Sequence, residues 1–397
     1  MKCVVLSHAC VVPRYQEKLA ILAEDPNMKV VFVAPPYSRE GARIVHLEGS
    51  PPDGCRVIRA RTIFTGNMFV TMYRGLERLL RAEKPDVVYV EEEPCSLAAA
   101  QVARLCRKLG TFTFIFFSWE NIAQRWYRFP NPRVFVYPRC ERLVFSQAHA
   151  GVAGGVEAMK AARERGYHGP ITVIPQFGVD VNVFARCNTA ALRRRLQLTH
   201  PVVGYVGRLL PEKGVSTLVE AFARLQPNRN LLIIGSGPER KRIEQQVEAL
   251  GIADRTRLIA AVPHDEVPHY MNCIDTLVLP SLTTQAWKEQ FGRVLIEAMA
   301  CEVPVVGSSS GEIPSVIGPA GRIFAEGDAA DLAEKLAATL AGDRARAGAI
   351  GRKRVLEHYT MRAIAERLRR YICDVHEAFN APATGHRAGA ANAYPGR

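Results

Sequence analysis

No apolar run in this sequence reaches the ~18–20 residues that a helix needs to cross a bilayer. The start, Met1-Lys2-Cys3-Val4-Val5-Leu6-Ser7, lacks a long apolar stretch and a small-residue cleavage site, so it reads as a first strand and not as a signal peptide. Ten cysteines are scattered with no C-x-x-C pair and no Cys/His cluster at zinc spacing, which fits buried thiols in a reducing cytosol and argues against a structural zinc. No D-x-D triplet occurs, which removes the usual acidic pair for a metal-bound diphosphate. Neither a Ser-His-Asp nor a Cys-His arrangement can be argued from spacing.

The chain has 397 residues, too many for one ordinary core, and two domains are expected. Its net charge of +13 is not one basic module. Residues 1–180 carry 24 Lys and Arg against 17 Asp and Glu, and the remainder carries 28 against 22. An even spread argues against a nucleic-acid arm. One local concentration exists: Arg56, Arg59, Arg61, Arg74, Arg78, Arg81 and Lys84 against Glu77 and Glu83. It could meet an anionic membrane or substrate, or form a solvated helix face carrying Arg74, Arg78 and Arg81.

The first half alternates short strands (3–6, 29–33, 57–59, 86–90, 112–117) with helical patterns at 16–23, 69–82 and 97–109. Further strands at 150–153 and 171–174 flank a helix at 156–165. Such alternation implies a parallel sheet with helices on both faces and ligands outside the carboxyl ends of its strands. Those ends place Ser7 to Tyr15, Glu91 to Ser96 and Ser118 to Asn121 on a rim. Between Gln124 and Arg133, arginines interleave with Trp126, Tyr127 and Phe129, a mixture that could stack a sugar, touch a membrane or seal a loop.

Loss of periodicity at Pro175–Phe184 marks the best domain boundary. A second series follows, with strands at 202–206, 230–234, 257–261, 276–279 and 303–306 and helices at 215–225, 238–250, 264–272 and 291–300. Helices return at 329–340 and 361–379, and the Ala-, Gly- and Pro-rich residues 381–397 read as a disordered tail. The expected architecture is α/β: two doubly wound, Rossmann-like halves facing a cleft, spanning 1–180 and 185–360.

Four stretches carry chemistry. In Glu289-Gln290-Phe291-Gly292-Arg293-Val294-Leu295-Ile296-Glu297, two carboxylates flank a flexible loop and the start of an apolar helix. The first N–H groups of that helix form a ready anion site, while Glu289 stands free to face a cleft. Gly207 and Arg208 to Lys213 follow the first strand of the second half, where two cations could take the charge of a departing diphosphate. Gly235-Ser236-Gly237 lacks the third glycine of a dinucleotide loop, and Pro238 opens a helix, so it reads as a pocket wall rather than a NAD site. Val262 and Pro263, before His264, could border a base, and Ser308 to Ile313 could offer backbone N–H groups to phosphate or sugar. Each stretch also has a plain reading as a solvated surface loop.

The second half resembles the retaining glycosyltransferases of the GT-B fold, in family 4 ("group 1"). The motifs run in order: V-I-P-Q-F-G-V-D (173–180), V-G-R-L-L-P-E-K-G (206–214), I-I-G-S-G-P-E (233–239), L-V-L-P-S (277–281), the stretch from Glu289 to Ala300, G-E-I-P (311–314) and G-R-I-F (321–324). The resemblance implies that Arg208 and Lys213 bind the donor diphosphate and that Glu289 holds the transferred sugar. It further implies that Phe291 and Gly292 present backbone amides, that Glu297 holds the ribose, and that a helix near 361–380 crosses back to the first domain. Two departures stand out: no Gly-Gly loop follows the first strand, and no His stands at Phe117-Ser118-Trp119-Glu120-Asn121, where Glu120 or Asn121 could substitute.

The expected function is transfer of a sugar from a nucleoside diphosphate sugar, UDP favoured, to a glycan or lipid-linked acceptor, without a metal or other cofactor. Glu289, Arg208 and Lys213 are the expected catalytic set. Gly207, Gly235, Val262, Pro263, Gln290, Phe291, Gly292, Arg293, Val294 and Glu297 complete the donor pocket. The expected location is cytoplasmic, with peripheral membrane contact as a further expectation and no nucleic-acid partner. A nucleotide-sugar epimerase of the same fold and a non-catalytic nucleotide-sugar binder are the alternatives.

Overall fold

A computed structural model describes residues 1–40, 43–47, 52–123 and 133–381. It resolves into two compact units, one of Met1–Phe177 with the helix that starts at Met361, the other of Gly178–Thr360. Most of the aromatic loop, residues 124–132, and nearly all of the expected tail, residues 382–397, lie outside the described residues.

The strands of the first unit are β1 (Lys2–Leu6), β2 (Lys29–Ala34), β3 (Tyr37–Glu40), β4 (Arg43–His46), β5 (Cys55–Arg59), β6 (Thr62–Ile63), β7 (Met72–Tyr73), β8 (Val87–Val90), β9 (Thr113–Ser118), β10 (Ala150–Ala153) and β11 (Ile171–Val173). Seven of them form one parallel sheet in the order β11-β10-β9-β8-β1-β2-β5, and β3-β4 and β6-β7 form small antiparallel pairs. Runs such as Cys3-Val4-Val5-Leu6 and Val87-Val88-Tyr89-Val90 are apolar on both faces because helices cover both faces of the sheet.

Those helices are α1 (Pro13–Ala23), α2 (Leu76–Glu83), α3 (Leu97–Leu109), α4 (Arg133–Gln147) and α5 (Val156–Glu164). Ser96 caps α3 by accepting a hydrogen bond from the Ala99 N–H at 3.1 Å, and Gly110, at φ +62°, ends it.

In the second unit, β12 (Val202–Val206), β13 (Asn230–Ile234), β14 (Thr256–Ile259), β15 (Thr276–Leu279), β16 (Val305–Ser308) and β17 (Gly321–Phe324) form a parallel sheet in the order β14-β13-β12-β15-β16-β17. Its helices are α6 (Ala190–Arg195), α7 (Val215–Ala223), α8 (Arg240–Ala249), α9 (Val267–Met271), α10 (Arg293–Ala300), α11 (Ile313–Ile317), α12 (Ala329–Ala341) and α13 (Arg344–His358). The last helix, α14 (Met361–Asn380), belongs to the first unit. Its stripe Met361, Ile364, Ala365, Leu368 and Ile372 is buried at helical spacing. Arg362 and Arg369 reach Glu24 and Asp25, just past the end of α1, at 2.7 and 2.5 Å.

In both sheets the chain starts near the middle, builds outward on one side and then returns to build the other. The strand order therefore reverses between β1 and β8 in the first unit and between β12 and β15 in the second. Loops leaving the carboxyl ends of such neighbouring strands part in opposite directions and leave a crevice.

Several expectations need correction. The helix expected over 69–82 begins only at Leu76, because Met72–Tyr73 pairs with Thr62–Ile63 and Gly75 turns the chain at φ +70°. Arg74 thus stands outside the helix that was to carry it beside Arg78 and Arg81. Helix α4 was not expected, since Pro138 interrupts its sequence, and α6, α13 and strand β17 were missed as well. Among the described residues no helix is long and apolar enough to cross a membrane.

Candidate functional site

The reversal point of the second unit gathers the residues singled out from the sequence. Gly207 and Arg208 follow β12, Gly235 follows β13, Val262 and Pro263 lie beyond β14, and Glu289 to Gly292 lie beyond β15. Lys213 ends a short 3-10 turn, Pro211–Lys213, and Gly214 at φ +63° starts α7. A β-carbon on Gly214 would lie 2.0 Å from the Pro280 carbonyl oxygen, so the loop after β12 is pressed directly against the end of β15.

That close approach brings a cation to a carboxylate. Lys213 Nζ donates to Glu289 Oε2 at 2.7 Å, and Ser281 Oγ donates to the same oxygen at 2.8 Å. The Lys213 ammonium also lies 4.5 Å from the centre of the Trp287 ring, within cation–π range. Glu289 is 8% exposed. The expectation that it stands free to face a cleft is therefore corrected: its carboxylate is already engaged, because a buried charge needs a partner. Arg208 is different. Its side chain is exposed and its backbone carbonyl accepts from Tyr205 Oη at 2.7 Å.

The glycine loops turn out to be spacers. A β-carbon on Gly235 would lie 1.8 Å from the Gly207 carbonyl oxygen, and one on Gly237 would lie 2.1 Å from that of Leu209. The Leu209 N–H donates to the Ser236 carbonyl at 2.9 Å and the Glu239 N–H to the Leu209 carbonyl at 3.1 Å. Gly235-Ser236-Gly237 therefore holds the Arg208 loop in place from behind. The loop 308–313 does similar work for Glu289. The Glu312 N–H donates to the Glu289 carbonyl at 3.0 Å, and a β-carbon on Gly311, at φ +53°, would meet that oxygen at 2.0 Å. This amide, expected to be open to a ligand, braces the backbone of Glu289 instead.

Helix α10 starts after Gly292, which sits at φ +75°, and no side chain caps it. Its N-terminus is the end of the helix dipole that favours an anion. Arg293 Nε lies 3.1 Å from Glu297 Oε1 one turn on, and Glu297 is buried. Phe291 sets its ring 5.8 Å from that of Tyr359, Val294 packs on the apolar core, and Gln290 is exposed. Val262 is half-buried against the same core, and Pro263 is exposed.

Sequence reasoning missed Ser281 and Trp287. Ser281 ends the motif L-V-L-P-S, which was a signal for it; Trp287 carries no pattern of its own. Among the described residues no three His, Cys, Asp or Glu side chains gather in a metal-holding group.

The reversal point of the first unit holds a second constellation, in which only the rim had been named. Glu91, Glu92 and Glu93 follow β8 and all three are buried. Glu91 pairs with Lys18 of α1, both 1% exposed. Glu92 accepts from the His8 N–H at 2.8 Å and pairs with the His8 ring. Burial works to lower the His8 pKa, but the Glu92 carboxylate outweighs it and the imidazole is held above its usual value. Glu93 accepts from Ser118 Oγ at 2.8 Å and from the Trp119 N–H at 2.7 Å. Burial, then the nearby Glu120, pushes its carboxyl up to about 7. Ser118, Glu120 and Asn121, from the stretch singled out for lacking a His, are all buried.

Comparison with known proteins bears on both units. Residues 190–354 match the family model "Glycosyl transferases group 1", and residues 13–176 match "Glycosyl transferase 4-like domain". A 2-deoxystreptamine N-acetyl-D-glucosaminyltransferase of Streptomyces fradiae is 35% identical over 214 residues, covering 48% of this chain and 50% of the relative. A GDP-mannose-dependent phosphatidylinositol monomannoside mannosyltransferase of Mycolicibacterium smegmatis is 31% identical over 214 residues, covering 51% and 56%. The chain thus spans about half the length of these curated relatives. Among solved structures, Anabaena HepE in complex with UDP superposes with a TM-score of 0.70 at 19% identity, covering 94% of this chain and all of that one. A sucrose-phosphate synthase of Thermosynechococcus elongatus gives 0.68 at 22% over 95% of this chain. At these identities the structures speak to the fold, which is GT-B. With one model on each unit and the fold in common, the chain belongs to the group 1 glycosyltransferases.

Proposed function

We propose that this protein transfers a sugar from a nucleoside diphosphate sugar to a hydroxylated acceptor, with the anomeric configuration kept. The carrying observation is the contact of Lys213 with Glu289 at the reversal point of the second sheet, beside the exposed Arg208 and the uncapped start of α10. Arg208 and Lys213 take up the charge that develops on the diphosphate as the bond to the sugar breaks. For Lys213 this means leaving Glu289 in part, which frees the Glu289 carboxylate to accept from sugar hydroxyls. Ser281 stays on Glu289 and fixes its orientation. Glu297 meets the ribose hydroxyls, and the start of α10 faces phosphate or sugar. No step in this scheme calls on a metal ion.

A uridine nucleotide is the favoured donor; the guanosine nucleotide of the mannosyltransferase relative is the competitor to exclude. The acceptor class follows the relatives' names: a cyclitol ring such as 2-deoxystreptamine or an inositol derivative. The test is turnover of UDP- and GDP-sugars by the wild type and by Glu289→Gln, with the product anomer read by NMR. The variant should keep nucleotide binding and lose about 10²–10³ in kcat. Unchanged turnover in the variant, or an inverted product, would contradict the reading.

A further inference from the structure

Between Ser281 and Glu289 the chain forms a loop with a tied base and an open tip. At the base the Leu282 N–H donates to the Glu212 carbonyl at 2.8 Å and the Thr283 N–H to Glu326 Oε2 at 2.8 Å. The Thr283 and Ser310 hydroxyls share a hydrogen bond at 3.0 Å, and Ser308 Oγ donates to the Ser281 carbonyl at 2.6 Å. The tip is a turn closed on itself. Its Thr284 N–H donates to the Trp287 carbonyl at 2.7 Å and its Ala286 N–H to Thr284 Oγ1 at 3.3 Å. Thr283 to Ala286 are exposed, while Trp287 is half-buried and turns its ring back onto the Lys213 ammonium.

That ammonium has two neighbours of different kind: Glu289 Oε2 at 2.7 Å and the centre of the Trp287 ring at 4.5 Å. The Lys213 and Glu289 side chains are only 14% and 10% exposed. The ammonium therefore takes up the space in front of both the carboxylate and the ring. A carboxylate beside an aromatic face is also what holds a pyranose: hydroxyls donate to the carboxylate and the C–H face lies on the ring. Lys213 makes, in the empty protein, the two contacts that a sugar would make.

Lys213 is able to leave, because its stem is flexible and its charge is compact. The loop that carries it also carries the exposed Arg208, and α10 starts uncapped at the same strand reversal. A diphosphate held there carries more charge than one carboxylate and attracts the ammonium more strongly. A free sugar brings no charge, and to enter it must break a largely buried ion pair.

We propose that Lys213 occupies the donor-sugar subsite of the empty protein, that the diphosphate vacates it by drawing the ammonium away, and that the sugar then rests its C–H face on Trp287 and its hydroxyls on Glu289. The proposal rests on the transferase reading above. It adds a sugar-contacting residue, Trp287, and an order in which the diphosphate opens the place for the sugar.

The test is saturation-transfer NMR on the full chain with D-glucose, D-galactose, D-mannose or N-acetyl-D-glucosamine, each alone and with UDP, GDP or ADP at saturation. At least one sugar should show saturation of its ring C–H protons that appears only when a nucleotide is bound. Trp287→Ala should weaken that sugar about two- to tenfold, the worth of a lost aromatic contact, with nucleotide affinity by calorimetry unchanged or tighter. Trp287→Phe should recover part. Lys213→Ala should act in the opposite sense, binding nucleotide more weakly and sugar without any nucleotide, a reversal that simple damage to the fold does not produce. Trp287→Ala carries the test by itself if Lys213→Ala does not fold, since it keeps the Lys213–Glu289 pair. The proposal is overturned by sugar binding to the wild type regardless of nucleotide, by unchanged sugar binding in Trp287→Ala, or by a folded Lys213→Ala that binds no sugar alone. Nucleotide bound to the wild type with no signal from any of the sugars also overturns it. If none of the nucleotides binds the wild type, the transferase reading falls and the proposal falls with it, an outcome read from the nucleotide heats alone.

Discussion

In the second unit, the loops that part at the strand reversal bring one ammonium to one carboxylate, Lys213 to Glu289, with a second cation, Arg208, left exposed. In the first unit the equivalent loops bring three carboxylates into the interior, where Lys18 of α1 pairs with Glu91 and the His8 ring with Glu92. The same topology thus produces a crevice rich in positive charge and hydrogen-bond donors in one unit and a crevice rich in acceptors in the other. A strand reversal dictates where a ligand sits, while the few side chains on the two loops dictate its charge. The charge of the second crevice suits a diphosphate.

The comparison is most severely tested through the Lys18–Glu91 pair. Lys18→Met strands a buried carboxylate and should cost about 3–5 kcal/mol, read by denaturant unfolding, whereas Lys18→Met combined with Glu91→Leu should recover most of the loss. Equal stability of the single and double variants would mean that the pair is not the buried, mutually dependent element described for the first unit.

A second way to sharpen it is the dependence of stability on pH. Glu93 has a folded pKa of about 7 against an ordinary 4.5, so between those values the folded chain holds a proton that the unfolded chain has released. Stability should therefore fall as pH rises across that window, and Glu93→Gln should flatten this part of the profile. His8, also raised, adds stability that is present below about 6.5 and is lost above it, which separates the two groups. A wild-type profile that rises from pH 4.5 to 7 and is unchanged by Glu93→Gln would go against the account of the first crevice.

The smallest effect is expected at Trp287. Its ring lies against the Lys213 ammonium, and Trp287→Ala should reduce kcat about three- to thirtyfold with folding intact, Trp287→Phe recovering part. No change in the Ala variant would reduce Trp287 to a bystander.

Much of the second crevice was legible in advance. Gly207-Arg208, Lys213, Glu289 and Gly292 sit in ordered motifs, and their spacing reflects loops whose length the sheet dictates. What sequence could not reveal is which partner each polar group takes. Glu289 reads as a free carboxylate until Lys213 and Ser281 are placed beside it, and Gly235 and Gly311 read as ligand loops until their clearance to backbone oxygens is known. In the first unit the rim was found from strand ends alone. The roles of Glu91, Glu92 and Glu93 within that rim stayed unread, because their partners Lys18, His8 and Ser118 are distant in sequence. Helix α4 stayed hidden since Pro138 breaks the expected pattern, and α2 was drawn too long since cross-strand pairing of Met72–Tyr73 overrides its local helical spacing.

The central claim is that the second crevice is a nucleoside diphosphate site. Titration of UDP, GDP and ADP into the wild type and into Arg208→Ala/Lys213→Ala tests it most directly. The account predicts that one nucleotide stabilises the wild type, by about 2.7 kcal/mol at a hundred times its dissociation constant, and leaves the double variant unshifted. Equal stabilisation of both proteins, or of neither by any nucleotide, would contradict it.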